Sequence, residues 1–233
     1  HRSAVFVRDF HATRRALCTL ANAHDVQLIM GSGSVANDAV AAALSRDGGE
    51  GVILSNGAFG ERLVDHATRF GLRFRVHRAE WGAPFGPEAL ALALDALPAP
   101  TWLWVVHGET STGVLNDLPL LKALTAQRGI RLCLDAVSSL GAAPVDLEGV
   151  TYAASVSGKA LGALPGLAFV FHAAPFRTAG AALPRYLDLA YYASKDGMPF
   201  TVSSNLLYAL KAAVEGFDAQ RRHTRIRDLS ARL

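Results

Sequence analysis

Seven short apolar segments alternate with longer amphipathic segments along most of this 233-residue chain. The short segments are rich in Val, Ile, Leu and aromatic residues, and they predict the strands "VQLIM", "GVILS", "LRFRV", "WLWVV", "RLCLD", "YAASV" and "LAFVF". Between them, helical periodicity predicts helices over residues 8–23, 34–44, 61–70, 87–97 and 118–127. Alternation of this kind predicts an α/β fold of three layers, in which helices cover both faces of a mostly parallel sheet.

Composition and charge narrow the classes of partner. Hydrophobic residues make up 51% of the chain and charged residues 18%, which favours a packed core over disorder. The net charge is +3, and the basic cluster "RRHTRIR" near the C-terminus is more typical of a solvated helix face than of a nucleic-acid site. We therefore expect no nucleic acid as partner. We also expect no membrane as partner, since no apolar run reaches the length of a membrane span.

Cysteine usage indicates the compartment. Cys133 lies inside the apolar segment "RLCLD", far from Cys18, so we expect a buried free thiol and a reducing, cytoplasmic location. The sequence has no HExxH or CxxC spacing, and we expect no metal site. The chain begins at His1 and ends within a helical pattern, so we expect it to be a segment of a longer protein.

Ligands of parallel sheets bind beyond the carboxyl ends of the strands, which makes the residues after each strand candidates for a site. After "VQLIM", the segment "GSGSVANDAV" has two glycines for a tight turn and a helix that opens near Ser34. The N–H groups of such a helix start would hold a phosphate, although a plain turn explains the pattern equally well. After "GVILS", Phe59 is either a core aromatic residue or a face on which a planar ring stacks.

Three further segments carry polar or charged groups at strand ends. "HGETSTG" follows "WLWVV" and is typical of a ligand-binding loop. Asp135 ends an apolar strand, so its carboxylate needs a partner or caps the following turn. Lys159 is the only charged residue between Glu148 and Arg177, in a segment that reads as core. One short crossover and one strand separate Asp135 from Lys159, which predicts that the two lie at neighbouring strand ends.

Individual residues weigh against two nucleotide-binding motifs. In "SGKAL", Ala153 stands where a P-loop has its first glycine, and Ala160 stands where it has Ser or Thr. A dinucleotide-binding fold would need an acidic residue at the end of the second strand, and "GVILS" has none.

Taken together, these segments resemble the class V aminotransferases, which are pyridoxal-phosphate enzymes of fold type I. "GSGSVANDAV", "SNGAFGERLV", "HGETSTGVLN", "LDAVSSLGAAPVDL" and "SGKALGALPGLAFV" follow the family's order and spacing over nearly the whole chain. Some segments look most similar to 2-aminoethylphosphonate–pyruvate transaminases, whereas "HRS" and "HGETSTGVL" resemble alanine–glyoxylate and serine–pyruvate aminotransferases equally. The resemblance implies that residues 1–233 form the large cofactor-binding domain, without the family's N-terminal arm and C-terminal small domain.

The resemblance also implies a cofactor, pyridoxal 5'-phosphate, and a reaction, transfer of an amino group to a 2-oxo acid such as pyruvate or glyoxylate. By this resemblance, Lys159 forms the Schiff base with the cofactor and Asp135 pairs with its pyridinium nitrogen. Val137 and Phe59 pack on opposite faces of its ring. The other implied contacts are Ser32, Gly33 and Ser34 to the phosphate, Thr110 near the phenolic oxygen, and Thr201 to the phosphate of the other subunit in a homodimer.

One position departs from the family, and two alternatives stay open. Gly158 stands where relatives carry Gln or Asn, so we expect Ser157 to supply that phosphate contact. A lyase or cysteine desulfurase with the same cofactor usually stacks a His on the ring, where this chain has Phe59. A binding domain that keeps the fold without activity would not require both Lys159 and Asp135.

Overall fold

A computed structural model describes residues 3–173, 176 and 183–232, so His1 and Arg2 of the "HRS" segment lie outside the described residues. The described strands are β1 (Asp25–Met30), β2 (Glu50–Ser55), β3 (Arg73–Arg78), β4 (Trp102–Val106), β5 (Gly108–Glu109), β6 (Val114–Leu115), β7 (Arg131–Asp135), β8 (Val150–Val156) and β9 (Leu167–His172). The described helices are α1 (Ala4–Ala21), α2 (Gly33–Asp47), α3 (Ala58–Arg69), α4 (Pro87–Asp95), α5 (Leu118–Gln127), α6 (Leu189–Ser194), α7 (Ser204–Glu215) and α8 (Ala219–Ser230).

One seven-stranded sheet organises the fold, in the order β1-β9-β8-β7-β4-β2-β3. The strands from β8 to β3 pair in parallel, whereas β9 is antiparallel to both β8 and β1. Because β1 and β8 are both antiparallel to β9, they run in the same direction as each other. The prediction of a mostly parallel sheet is therefore confirmed, and the carboxyl ends of all the sheet strands except β9 lie at one edge.

Alternating side chains divide the core into two layers, one on each face of the sheet. In β4, Leu103 and Val105 belong to a cluster that includes side chains of α1, α4, α5 and α7. Trp102, Trp104 and Val106 belong to the opposite cluster, which includes side chains of α2, α3 and α6. Since a strand points successive side chains to opposite faces, nearly continuous apolar strands are what a sheet covered on both faces requires. The three-layer prediction is confirmed.

All seven predicted strands and all five predicted helices are present, with shifts at their ends. The first helix begins at Ala4 because the Ser3 hydroxyl accepts a hydrogen bond from the Phe6 N–H and caps it. The C-terminal helical pattern divides into α7 and α8, since Asp218 caps a new helix. None of the residues of α8 is buried, so its basic residues lie on a solvated face. No helix within the described ranges combines the length and apolar character needed to cross a bilayer.

The strand β3 forms one edge of the sheet, because β2 is its only neighbour there. Arg73, Arg75 and Arg78 of this strand are exposed. The opposite edge is β1, which packs against α1 and α6. The two edges therefore differ, one charged and open and the other covered.

Both cysteines are free thiols, as predicted for Cys133. Burial raises the pKa of the Cys133 thiol to about 12 and that of the half-buried Cys18 thiol to about 11. Because the thiolate is the reactive form of cysteine, raised pKa values disfavour reactivity at both positions.

A largely buried ion pair fastens the far end of α2. Arg46, in the last turn of α2, donates to both carboxylate oxygens of Asp188 at 2.8 and 3.0 Å. Asp188 also caps α6, since its carboxylate accepts from the Tyr191 N–H at 3.2 Å. Only 10% of the Arg46 side chain and 17% of the Asp188 side chain are exposed.

We expect Asp188→Ala to lower the free energy of unfolding by roughly 3 kcal/mol, because it leaves the Arg46 charge buried without its partner. The exposed pair Arg69–Asp65, with 71% and 59% of the side chains exposed, provides the matched control. Asp65→Ala should change the free energy of unfolding far less, because an exposed pair is screened by solvent. Urea denaturation followed by circular dichroism measures both values, and equal losses would show that burial does not strengthen the Arg46 pair.

Candidate active site

A cavity of about 140 Å³ lies at the sheet edge where the parallel strands end. Several predicted site residues line it: Gly33, Ser34, Phe59, Asp135, Val137 and Lys159. The lining also contains residues that the sequence analysis did not single out: Asn37, Arg62, His66, Val106, Gly108 and Ser138. The structure thus gathers an amine, a carboxylate and an aromatic ring from three separate parts of the chain.

Asp135 ends β7 near the centre of the sheet, and it is only 6% exposed. Its Oδ1 accepts a hydrogen bond from the Val137 N–H at 2.9 Å, and its Oδ2 accepts one from the Asn37 Nδ2 at 2.8 Å. Burial raises the pKa of this carboxyl above its usual range, although both hydrogen bonds and the nearby His66 act in the opposite direction. The group is a desolvated acid that faces a cavity.

Lys159 lies in the turn that follows β8, the strand that pairs with β7, so the prediction of neighbouring strand ends is confirmed. The expectation that its segment is core is wrong, because Gly158 and Lys159 are exposed. The small and apolar residues around Lys159 build a tight connection between two antiparallel strands rather than a strand interior. A side chain at Gly158 would place its Cβ 2.7 Å from the Pro165 Cα, which shows how tight that connection is.

The start of α2 forms a second wall of the cavity. The helix begins at Gly33, and no side chain in the described chain caps its first turn. Because free N–H groups and the helix dipole favour an anion, this wall is suited to a phosphate. A Cβ at Gly33 would lie 2.9 Å from Val137 Cγ2, so glycine is what allows α2 to approach Val137 so closely.

Phe59 forms the aromatic wall, and it lies in the first turn of α3. The Arg62 guanidinium lies 4.8 Å from the centre of its ring. Phe59, Arg62 and His66 all line the cavity because spacings of three and four residues place them on one face of the helix. That spacing was a signal in the sequence that could have identified Arg62 and His66.

The polar segment "HGETSTG" positions the start of α3. It forms the hairpin β5–β6, and its buried Glu109 accepts hydrogen bonds from the N–H groups of Phe59 and Gly60, both at 3.0 Å. The Ser111 hydroxyl accepts from the Ala58 N–H at 2.9 Å and donates to Glu109 at 2.6 Å. These two side chains cap α3 and position Phe59, and only Gly108 of the hairpin lines the cavity.

Two histidines lie close to the carboxylate. His66 faces the cavity, and its Nδ1 is 2.6 Å from the Asp38 carboxylate on α2. His107 follows β4, is 2% exposed, and shares a hydrogen bond of 2.9 Å with the Ser139 hydroxyl. Burial lowers the pKa of His107 to about 4, so this ring is uncharged at neutral pH.

Four predicted site residues do not line this cavity. Ser32 lies next to it as the residue that precedes α2, and Thr110 is exposed in the β5–β6 turn. The Ser157 hydroxyl donates to the Leu164 carbonyl at 2.7 Å and accepts from the Leu167 N–H at 3.3 Å, so it is engaged within the β8–β9 connection. Thr201 is exposed, and Ser203 rather than Thr201 caps α7.

Among the described residues, no group of three or more His, Cys, Asp or Glu side chains is arranged to hold a metal ion.

Comparisons with known proteins show which family and fold this chain resembles. A family model described as "Aminotransferase class-V" matches residues 1–175. The chain is 32% identical over 240 aligned residues to a 2-aminoethylphosphonate–pyruvate transaminase of Pseudomonas entomophila, with 95% of the chain and 65% of the relative covered. It is 39% identical over 199 residues to a protein named soluble hydrogenase 42 kDa subunit of Anabaena cylindrica, with 80% and 51% covered.

A solved structure supports the fold. The alanine–glyoxylate aminotransferase of Nostoc sp. superimposes with a TM-score of 0.83 at 30% identity, covering 96% of this chain and 62% of that one. The chain spans about 65% of the length of the transaminase it matches, so these relatives contain further residues that this chain does not align with.

The raised pKa of Asp135 predicts a pH-dependent effect of Asp135→Asn on the ligand-free protein. A carboxyl with a raised folded-state pKa contributes stability that is complete below the unfolded pKa, about 3.9, and is lost as the pH rises through the folded pKa. Asn at this position does not titrate, so the variant does not lose stability in this way as the pH rises. The melting temperature of Asp135→Asn minus that of the wild type should therefore become more positive between about pH 4 and pH 7.

Asp146 serves as the matched control, because hydrogen bonding from Lys122 lowers the pKa of its carboxyl. The stabilising contribution of Asp146 is present above the unfolded pKa and is lost as the pH falls, so Asp146→Asn should show the opposite trend. Differential scanning fluorimetry across the pH range measures both. Parallel trends would mean that Asp135 is not a desolvated acid.

Proposed function

Because this chain belongs to the class V aminotransferase family, we propose that it forms the cofactor-binding domain of a pyridoxal-phosphate-dependent aminotransferase. The proposed reaction moves an amino group from a small amino acid or amine to a 2-oxo acid such as pyruvate or glyoxylate. The observation that carries the proposal is the single cavity shared by the Lys159 amine, the Asp135 carboxylate and the Phe59 ring.

The residues of the cavity fit pyridoxal 5'-phosphate by the chemistry of their groups. The uncapped start of α2 offers N–H groups at Gly33 and Ser34, with Ser32 beside them, for the phosphate. Phe59 and Val137 supply apolar surfaces for an aromatic ring. We leave Ser157 out of the proposed phosphate set, because both hydrogen bonds of its hydroxyl are made inside the β8–β9 connection.

When bound, the cofactor supplies an electron-accepting ring that stabilises negative charge at the substrate Cα. We assign to Lys159 the amine that holds the cofactor covalently and, once displaced by the substrate amine, carries a proton to and from Cα. General acid–base catalysis of this kind contributes roughly 10²–10⁴-fold to rate. To Asp135 we assign the carboxylate that pairs with the ring nitrogen and keeps its proton in place, and to Thr110 a position near the phenolic oxygen.

The donor 2-aminoethylphosphonate is a second, more specific candidate. It is favoured by the name of the Pseudomonas entomophila relative, which is 32% identical to this chain. A lyase or cysteine desulfurase reaction with the same cofactor remains the alternative class, and Phe59 in place of a stacking His weighs against it.

The test joins a donor screen to a lysine variant. Purified full-length protein should bind pyridoxal 5'-phosphate with a visible absorption band and convert pyruvate or glyoxylate with alanine, serine or 2-aminoethylphosphonate as donor. Lys159→Ala should lose the borohydride-trappable bond to the cofactor and reduce turnover by at least about 10²–10⁴-fold, because both the anchor and the proton carrier are gone. Peptide mapping of the trapped wild-type protein should identify Lys159.

Lys195→Ala provides the control, since Lys195 lies at the end of α6, away from the cavity lining. It should keep both the absorption band and the turnover. A trapped peptide that contains another lysine would refute the assignment of Lys159. Sulfur release from cysteine without amino transfer would favour the desulfurase alternative.

We further propose a cytoplasmic homodimer in which each site is completed by the partner subunit's Thr201. Free thiols at Cys18 and Cys133 are consistent with a reducing compartment. Thr201 is exposed and is not the cap of α7, so its hydroxyl is available to another molecule. A symmetric dimer would bring this patch of each subunit to the phosphate site of the other.

Thr201→Val should weaken cofactor binding by about 1.5–3 kcal/mol while leaving the fold intact, because a hydrogen bond to a charged phosphate is lost. Mixed dimers decide where Thr201 acts. When a Thr201→Val chain pairs with a Lys159→Ala chain, the single lysine-bearing site faces an intact Thr201 and should bind cofactor like the wild type. Weak binding at that site would end the shared-site proposal.

A further inference from the structure

Asn37 is the polar exception on the buried face of α2, whose other buried residues are Ala, Val and Leu. It lies in the second turn of the helix, lines the cavity, and is only 5% exposed. Its Nδ2 donates to the Asp135 Oδ2 at 2.8 Å. Together with the Val137 N–H on Oδ1, this bond fixes the rotation of the carboxylate group.

The other half of the same amide is a buried acceptor. Asn37 Oδ1 has no hydrogen-bond partner among the described residues. A buried acceptor without a partner carries a desolvation cost, so an apolar residue would pack here at lower cost if packing were the only requirement. An amide, however, can present either face to Asp135. It donates to a carboxylate, and after a half-turn about its last bond it accepts from the protonated acid.

The charged groups around Asp135 do not by themselves keep it ionised. His66 on α3 lowers the pKa of Asp135, whereas Glu109 on β5 raises it, and His107 after β4 is uncharged at neutral pH. Asp38 on α2 faces His66, and Arg62 and Lys159 line the same cavity. Burial outweighs these effects and the pKa of Asp135 remains raised, so each donated hydrogen bond matters to the charged form.

We propose that Asn37 is a positioning residue for Asp135, whose amide orients the carboxylate toward the cavity and favours its ionised form. The amide also follows the acid through protonation by reversing from donor to acceptor. This inference rests on the proposed function, because the ionised carboxylate is what pairs with a cationic ring nitrogen.

The test measures cofactor affinity rather than turnover. Asn37→Leu keeps the branched shape of the side chain and removes its donor. In the full-length protein, the dissociation constant for pyridoxal 5'-phosphate at neutral pH should rise severalfold, because the Asp135 carboxylate loses a hydrogen bond that orients it and favours its charge. The pH below which affinity declines should move upward, because protonation of Asp135 then begins at a higher pH.

Two comparisons separate positioning from packing. In an Asp135→Asn background, the added Asn37→Leu change should alter the dissociation constant by less than about twofold, because the group it acts through is gone. Ser45→Ala, at an exposed position near the far end of α2, should leave both affinity and pH dependence at wild-type values. If Asn37→Leu does not fold, Asn37→Ala removes the same donor without added bulk and should show the same shift.

The outcomes are distinct. A wild-type protein without a cofactor absorption band would overturn the proposed function itself. A wild-type protein that binds cofactor, combined with variants of unchanged affinity and pH dependence, would overturn only the role of Asn37. An equal loss in both Asp135 backgrounds would make Asn37 a packing residue.

Discussion

The common direction of β1, β4, β7 and β8 is the constraint on which the site depends. These strands come from distant parts of the chain, yet their carboxyl ends meet at one edge because each runs the same way in the sheet. The pairing of Val106 with Asp135, and of Asp135 with Ala154, sets the heights at which the strands end. Lys159, Asp135 and the start of α2 then share a cavity without any long loop to bring them together.

The Asp135 carboxyl at the centre of that edge is subject to opposing effects on its ionisation. Asp135 is buried, and burial favours its neutral form, while hydrogen bonds from Val137 and Asn37 favour the charged form. The fold therefore maintains an acid in a setting that costs stability and suits a cationic partner. Locally unfavourable groups of this kind are typical of functional sites, and the surrounding apolar layers supply the stability that holds them.

The sequence predicted the layers well because both kinds of periodicity were strong. It predicted the neighbouring positions of Asp135 and Lys159 because strand order in a parallel sheet follows from short crossovers. It misjudged the exposure of Lys159, since a Gly- and Pro-containing apolar run reads alike as a strand interior and as a tight connection. The hairpin β5–β6 and α6 were missed because two-residue strands and a six-residue helix are too short to show a period. The cap that Glu109 provides for α3 depends on a partner fifty residues away, which no local pattern reveals.

The open edge of the sheet has a consequence for how copies of this chain associate. An edge strand offers unpaired N–H and C=O groups to any other strand, which makes it a template for continuous sheets and aggregation. On β3 the exposed Arg73 and Arg75 stand two residues apart on the same face, and Arg78 follows them. Arg78 forms an ion pair with Glu61 at 2.9 Å, and two copies joined through this edge would bring Arg73 and Arg75 of both copies close together. Exposed arginines on an edge strand therefore disfavour the edge-to-edge pairing of two copies.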